Sequence, residues 1–175
     1  ALVDAESYSI WAKEVSEKGY SVAIVKMPFD MAVLGGNRAE NILNEFPHNG
    51  YVIGGHSLGG VMASRYAASQ KNGLKGVFFL ASYPDEKGSL AETNLPVFSL
   101  TASNDEVLNQ GNYQAAKTYL PDSAIFETIS GGNHAGFGSY GSQRGDGAAS
   151  ISNEEQQQQI AEKLTQWLDN LDKTQ

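Results

Sequence analysis

The segment Gly55-His56-Ser57-Leu58-Gly59 sets a serine between glycines two positions before it and two after it. An apolar run, Gly50–Gly54, leads into the segment, and a helical pattern with small residues at Gly60 and Ala63 leads out of it. Small residues at those positions permit a tight, strained strand-to-helix turn that exposes the serine hydroxyl at the strand's C-terminal end. The N-terminus of the following helix favours negative charge on the serine oxygen and on an oxyanion, and the Leu58 N–H is a candidate oxyanion donor. The chemistry open to such a serine is nucleophilic attack. It requires an imidazole to take the hydroxyl proton and a carboxylate to fix the tautomer of that imidazole.

The chain holds three histidines. His134, in Gly131-Gly132-Asn133-His134-Ala135-Gly136, directly follows the last predicted strand. The C-terminal ends of strands are where an α/β sheet gathers its site, so His134 is the candidate base. His56 is expected to turn its side chain away from the exposed face and pack, and His48, beside Pro47 and Asn49, to lie on a surface turn. The acid should leave the preceding strand, in Ala102-Ser103-Asn104-Asp105-Glu106-Val107. Asp105 is the candidate, and a role as helix N-cap is compatible with it. Glu106 competes with it but suits the first turn of the next helix. Asp85 is an alternative acid after another strand, and Asp122 precedes a strand, on the wrong edge of the sheet.

The elements that must position these groups alternate between short apolar runs and longer amphipathic ones. Tyr20–Met27, Gly50–Gly54, Gly76–Ala81, Val97–Thr101 and Ala124–Ile129 read as strands, mostly continuous apolar runs as expected where both sheet faces are covered. Asp4–Lys18, Arg38–Phe46, Leu58–Ser69, Glu106–Tyr119 and Asn153–Leu171 read as helices, the first with Asp4 as N-cap and Gly19 as its stop. The alternation predicts an α/β fold, a doubly wound and mainly parallel sheet with helices on both faces. Gly131–Ser150 has seven glycines in twenty residues and is expected to be a loop. The Gln156–Gln159 run falls within a helical pattern carried by Ile160, Leu164, Trp167 and Leu168, and is expected on its solvated face. Trp11 and Trp167 fall on apolar helix faces and are expected in the core.

With serine turn, acid loop and histidine loop in this order, the chain resembles the α/β-hydrolase superfamily over nearly its full length. More narrowly, it is similar to the small bacterial alpha/beta hydrolase fold-5 group, related to dienelactone hydrolases and carboxylesterases. The resemblance is carried by Ala1–Tyr8 (ALVDAESY), Met27–Leu34 (MPFDMAVL), Val52–Gly60 (VIGGHSLGG) and Gly131–Gly147 (GGNHAGFGSYGSQRGDG). Within the last segment it rests on His134, Phe137, Gly138, Tyr140, Gly141, Gln143 and Asp146. It implies a serine hydrolase working through Ser57, His134 and Asp105 but names no substrate; small carboxylic esters are expected because Ser82–Leu95, at 14 residues, is too short for a lid, with a lactone hydrolase or peptidase using the same triad as the alternative. A non-catalytic binding protein on the same fold is the rival from another class.

The chain departs from the family at its start. Family members carry a second oxyanion donor on a glycine-rich loop ahead of the first helix, and here the chain begins within that loop, so Ala1 or Leu2 would carry the donor. The strands upstream of that loop are absent, one of which would normally lie between Tyr20–Met27 and Gly50–Gly54. Residues 1–175 are therefore expected to form one domain that is a fragment of a longer chain, unless those two strands pair directly into a complete five-stranded sheet. Larger relatives insert a lid after the third predicted strand seen here, whereas Ser82–Leu95 is only 14 residues long. That length predicts an open site without a lid domain, with Phe29, Met31, Tyr83 and Phe137 as candidate pocket residues.

Composition bounds the remaining possibilities. A chain of 175 residues with 41% hydrophobic content is sized for one core. Without cysteine it has no disulfide framework, thiol nucleophile or thiolate metal site. A net charge of −8 with 12 scattered basic residues argues against nucleic-acid or anionic-membrane partners; the hydrolase resemblance makes a small-molecule ester the expected partner. No apolar run reaches transmembrane length, no signal peptide is visible, and no cofactor or metal is implied. Compartment and oligomeric state are not legible. Arg144-Gly145-Asp146 matches an integrin-binding tripeptide and is read as chance.

Overall fold

The computed structural model describes residues 3–27, 33, 38–69 and 72–173. A 3-10 turn, Ala5–Tyr8, leads into α1 (Ser9–Glu17), and α2 (Arg38–Glu45) precedes the sheet region. The order then runs β1 (Tyr51–His56), α3 (Leu58–Ala68), β2 (Leu74–Leu80), β3 (Val97–Ala102), α4 (Gln110–Ala116), β4 (Ile125–Ile129) and α5 (Asn153–Lys173). The four strands pair in sequence order and every pairing is parallel. No helix among the described residues is long and apolar enough to cross a membrane.

Strand alternation divides the core in two. Leu80, Phe98 and Leu100 face α1 and α5, where they meet Trp11, Val15, Leu164 and Trp167. Val77, Phe79 and Val97 face the other way, onto Ala67 of α3 with Leu90 and Leu120. Both faces of the sheet are thus covered, as its uninterrupted apolar strands demand. Trp167 stacks on Phe98 at 5.8 Å and meets Phe78 edge-on at 6.5 Å, which anchors α5 beneath the centre of the sheet.

One predicted strand does not form. Tyr20–Met27 is without regular secondary structure and makes no sheet pairing, and its Val22 and Ile24 are exposed. It does not pair with β1, which is an edge of the four-stranded sheet. A β-branched run favours extended backbone, but only a neighbouring ladder turns that preference into a strand. The segment is instead tied to α5 through a 2.7 Å hydrogen bond from the Tyr20 hydroxyl to Asp169. The helix predicted over Glu106–Tyr119 is also shorter than expected. Asn109 caps α4 through a 2.8 Å bond from the Asn112 N–H, so Glu106 lies exposed in the preceding turn rather than in a helical first turn.

Candidate active site

β1 ends at His56, Ser57 makes the turn and α3 begins at Leu58. Ser57 has φ 53° and ψ −126°, a conformation that side-chain-bearing residues rarely adopt. Glycine is required at two places around it. A Cβ on Gly55 would lie 2.5 Å from the Gly59 backbone, and one on Gly60 would lie 2.5 Å from the Ser82 hydroxyl. The strained residue is pinned to the end of β2 on both sides. Its N–H donates to the Leu80 carbonyl at 3.0 Å, and its carbonyl accepts from the Ser82 hydroxyl at 2.5 Å. The Ser57 side chain makes no helix-cap hydrogen bond. Leu58, as the first residue of α3, has an N–H without an intrahelical partner.

At the ends of β3 and β4, two loops bring Asp105 and His134 together although 29 residues separate them. Asp105 Oδ2 lies 2.8 Å from His134 Nδ1, and both side chains are buried. Asp105 Oδ1 meanwhile accepts the Val107 and Leu108 N–H groups at 2.9 and 2.8 Å. One carboxylate thus organises its own turn with one oxygen and orients the imidazole with the other. The alternative acids lie elsewhere. Asp85 caps the 3-10 turn Glu86–Gly88 and is held by the Arg65 guanidinium, whose hydrogen bonds keep its carboxyl below the usual range. Asp122 is exposed ahead of β4.

His56 is buried as expected, but it turns toward this pair rather than away from it. Its ring centroid lies 4.5 Å from that of His134, and Phe137 stacks on it at 5.6 Å. Burial, reinforced by His134, holds the His56 imidazole well below the ordinary histidine range. Phe137 is fully buried, so it supports His56 from beneath instead of lining an open pocket. Tyr83 is half-buried and meets the Tyr113 ring edge-on at 6.4 Å. His48 is exposed beside Tyr51. Ala1, Leu2, Phe29 and Met31, the remaining sequence candidates, lie outside the described residues.

Sequence reasoning missed the groups that shape the histidine loop. Gln156 and Gln157 are buried, not solvated: Gln156 brackets Asn133 by accepting its N–H at 3.0 Å and donating to its carbonyl at 2.8 Å. Gln157 donates to the Gly136 carbonyl at 3.3 Å. An uncharged run one helical turn ahead of the apolar stripe was the available signal, since buried amides suit a loop rich in unpaired backbone groups. Asp146 accepts the His134 and Ala135 N–H groups at 3.2 and 2.8 Å, which turns the carboxylate of the Arg-Gly-Asp tripeptide inward. Asp146→Ala strands both donors. It is expected to lower the unfolding free energy by about 1–3 kcal/mol in a urea titration, and an unchanged midpoint would show that the loop is held elsewhere.

Ser82–Leu95, the place of a lid in larger relatives, packs against the body. Leu90 is fully buried in the α3-side core, and its N–H donates to the Tyr119 carbonyl at 2.7 Å. Among the described residues no group of three or more His, Cys, Asp or Glu side chains could hold a metal ion.

A model of the alpha/beta hydrolase family matches residues 1–158. No curated protein matches the sequence significantly. Among solved structures, the chain is similar to the pyrethroid hydrolase PytH, with a TM-score of 0.71 at 12% identity, covering 97% of this chain and 94% of that one. It is similar to an alpha/beta hydrolase enzyme, MGS-MChE2, from the metagenome of lagoon sediments at Mar Chica, Morocco. That match has a TM-score of 0.69 at 14% identity and covers 98% and 88% of the two chains. A thermophilic esterase from Thermogutta terrifontis matches with a TM-score of 0.65 at 13% identity, covering 97% and 86%. At these identities the likenesses show a shared fold.

Proposed function

The chain belongs to the alpha/beta hydrolase family, and we propose that within it this protein is a serine hydrolase that cleaves small carboxylic esters through an acyl-enzyme. The observation that carries the reading is the buried Asp105–His134 pair, 2.8 Å apart, gathered at the same end of the sheet as the strained Ser57 turn. Burying a carboxylate and an imidazole together is costly unless they are hydrogen-bonded. Proteins concentrate such arrangements at working sites.

In this reading Ser57 Oγ attacks the ester carbonyl carbon as its proton passes to His134 Nε2. Asp105 keeps the other ring proton on Nδ1 and stabilises the imidazolium. The Leu58 N–H faces the oxyanion, and Ala1 or Leu2 supplies the second donor. His134 then protonates the departing alkoxide, and the alcohol leaves. A water molecule gives a proton to His134 and its oxygen to the acyl carbon. Collapse of that second intermediate releases the acid and returns the proton to Ser57. No cofactor takes part in this scheme.

One feature favours small esters over long acyl chains, and another favours esters over amides. The segment Ser82–Leu95 packs on the core instead of roofing the site, and solved structures sharing the fold include an esterase and a pyrethroid hydrolase. A fluorophosphonate probe is expected to label the protein once, on the peptide containing Ser57, as read by mass spectrometry. Turnover of p-nitrophenyl acetate and butyrate should exceed that of long-chain esters. Labelling without ester turnover would redirect the reading to a lactone hydrolase or peptidase. Absence of both would sink the enzymatic reading in favour of a binding protein.

A further inference from the structure

We infer that His56 is a positioning residue: its ring, tethered by the Tyr8 hydroxyl, packs against the ring of His134 while Asp105 holds that ring's edge. The inference rests on the reading of Ser57, Asp105 and His134 as a triad. Asp105 grips His134 at a single atom, Nδ1. A ring held at one atom can still rock about that bond, and a base must keep Nε2 aligned with the serine proton through the transition state. The second constraint has to come from a group packed against the ring, and the His56 ring lies 4.5 Å from it, centroid to centroid, with a 45° tilt.

His56 is itself immobilised from several directions. Tyr8, delivered by the turn ahead of α1, places its hydroxyl 3.1 Å from His56 Nδ1. Phe137 stacks on the ring at 5.6 Å, and Tyr140 lies 6.2 Å away. His56 is also one peptide bond from Ser57. The residue that presents the nucleophile therefore carries the ring that backs its base, so a shift of the turn moves both partners together.

The chemistry of the contact suits a base that becomes cationic. The partner of His56 is a phenol rather than a carboxylate, and burial pushes that phenol up to about 12. His56 Nε2 is buried and makes no hydrogen bond among the described residues, and burial and the neighbouring His134 ring disfavour a second ring proton more than the His134 backbone favours one. His56 thus stays neutral while His134 takes up its proton, and no cation opposes the imidazolium from 4.5 Å.

The test uses the full chain with His56→Ala, His56→Phe and Tyr8→Phe. Fluorophosphonate labelling rates, kcat and KM for p-nitrophenyl acetate, and the downfield NMR signal of the His134 Nδ1 proton are read for each. His56→Ala is expected to slow labelling and kcat ~10- to 100-fold with KM nearly unchanged, and to speed exchange of that proton with solvent. His56→Phe, which keeps a flat ring, should recover most of the loss, and Tyr8→Phe should lose less than His56→Ala. Equal losses in the alanine and phenylalanine variants, or a folded His56→Ala with wild-type rates and proton exchange, would overturn the inference. Should His56→Ala fail to fold, wild-type kcat and proton exchange in Tyr8→Phe overturn it instead. A wild-type protein that neither labels nor turns over refutes the triad reading alone, because the NMR comparison still judges the contact.

Discussion

Ser57→Ala is expected to lose ester turnover by 10⁴- to 10⁶-fold, on the order expected when a triad nucleophile is removed, and to lose fluorophosphonate labelling completely. In the proposed mechanism the size follows from removing the atom that forms the acyl-enzyme while everything that binds substrate stays in place. The fold should be indifferent to the change. The contacts that pin residue 57 are its backbone N–H to Leu80 and its carbonyl from Ser82, and its side chain caps nothing. Alanine also has a Cβ, so the strain of the positive φ is the same in both proteins. The measurement is initial rate against p-nitrophenyl acetate beside a thermal melt of the same preparation. A variant with an unchanged melt that retains more than a small residue of the rate would remove Ser57 from the chemistry.

Asp105→Asn is expected to cost about 10⁴-fold in kcat, the magnitude expected when the orienting acid presents the wrong hydrogen-bonding partner. The asparagine carbonyl can take the place of Oδ1 and still accept from Val107 and Leu108, so the turn should survive. The amide nitrogen then falls where Oδ2 faced His134 Nδ1. Two donors cannot face each other, and the imidazole answers by moving its proton to Nε2. That is the nitrogen required to accept from Ser57, so the ring is present but holds its proton at the wrong end. KM should move little, and loss of the downfield Nδ1 proton signal should accompany the loss of rate. A variant that keeps its kcat would make the Asp105–His134 contact structural, and the acid would have to be sought elsewhere. Asp85 is a poor substitute because Arg65 already occupies it.

The parts of the site that were legible in the sequence share a physical property: their requirements are local. A strained turn needs small residues within two positions of Ser57, and that need is written into adjacent letters. Asp105 and His134 were found because each follows an apolar run closely, and a residue just beyond a parallel strand has only one end of the sheet to occupy. Gln156, Gln157 and Ser82 were not legible as contributors, and Asp146 was legible only as a member of the histidine loop, without a role. Each acts on a backbone group distant in the chain, as when Ser82 reaches Ser57 across 25 positions. A buried glutamine and a solvated one leave the same trace in a helical pattern, because an amide satisfies either setting once its partners are supplied.

By itself, then, the sequence determined most of the strands and helices from β1 onward, the covering of both sheet faces, and the placing of Ser57, Asp105 and His134 beyond the ends of β1, β3 and β4. Periodicity and turn chemistry act over a few residues, so those features follow from short-range rules. Only the tertiary structure decided that Tyr20–Met27 forms no strand, since a ladder needs a neighbour and propensity cannot provide one. It alone decided that Asp105 divides its oxygens between a turn and His134, that Gln156 and Gln157 face inward while Gln158 stays exposed, and that His56 turns toward His134. These outcomes depend on which groups meet when distant segments pack. A buried polar atom takes whatever partner the packing brings, because leaving it alone costs more than almost any single choice of conformation.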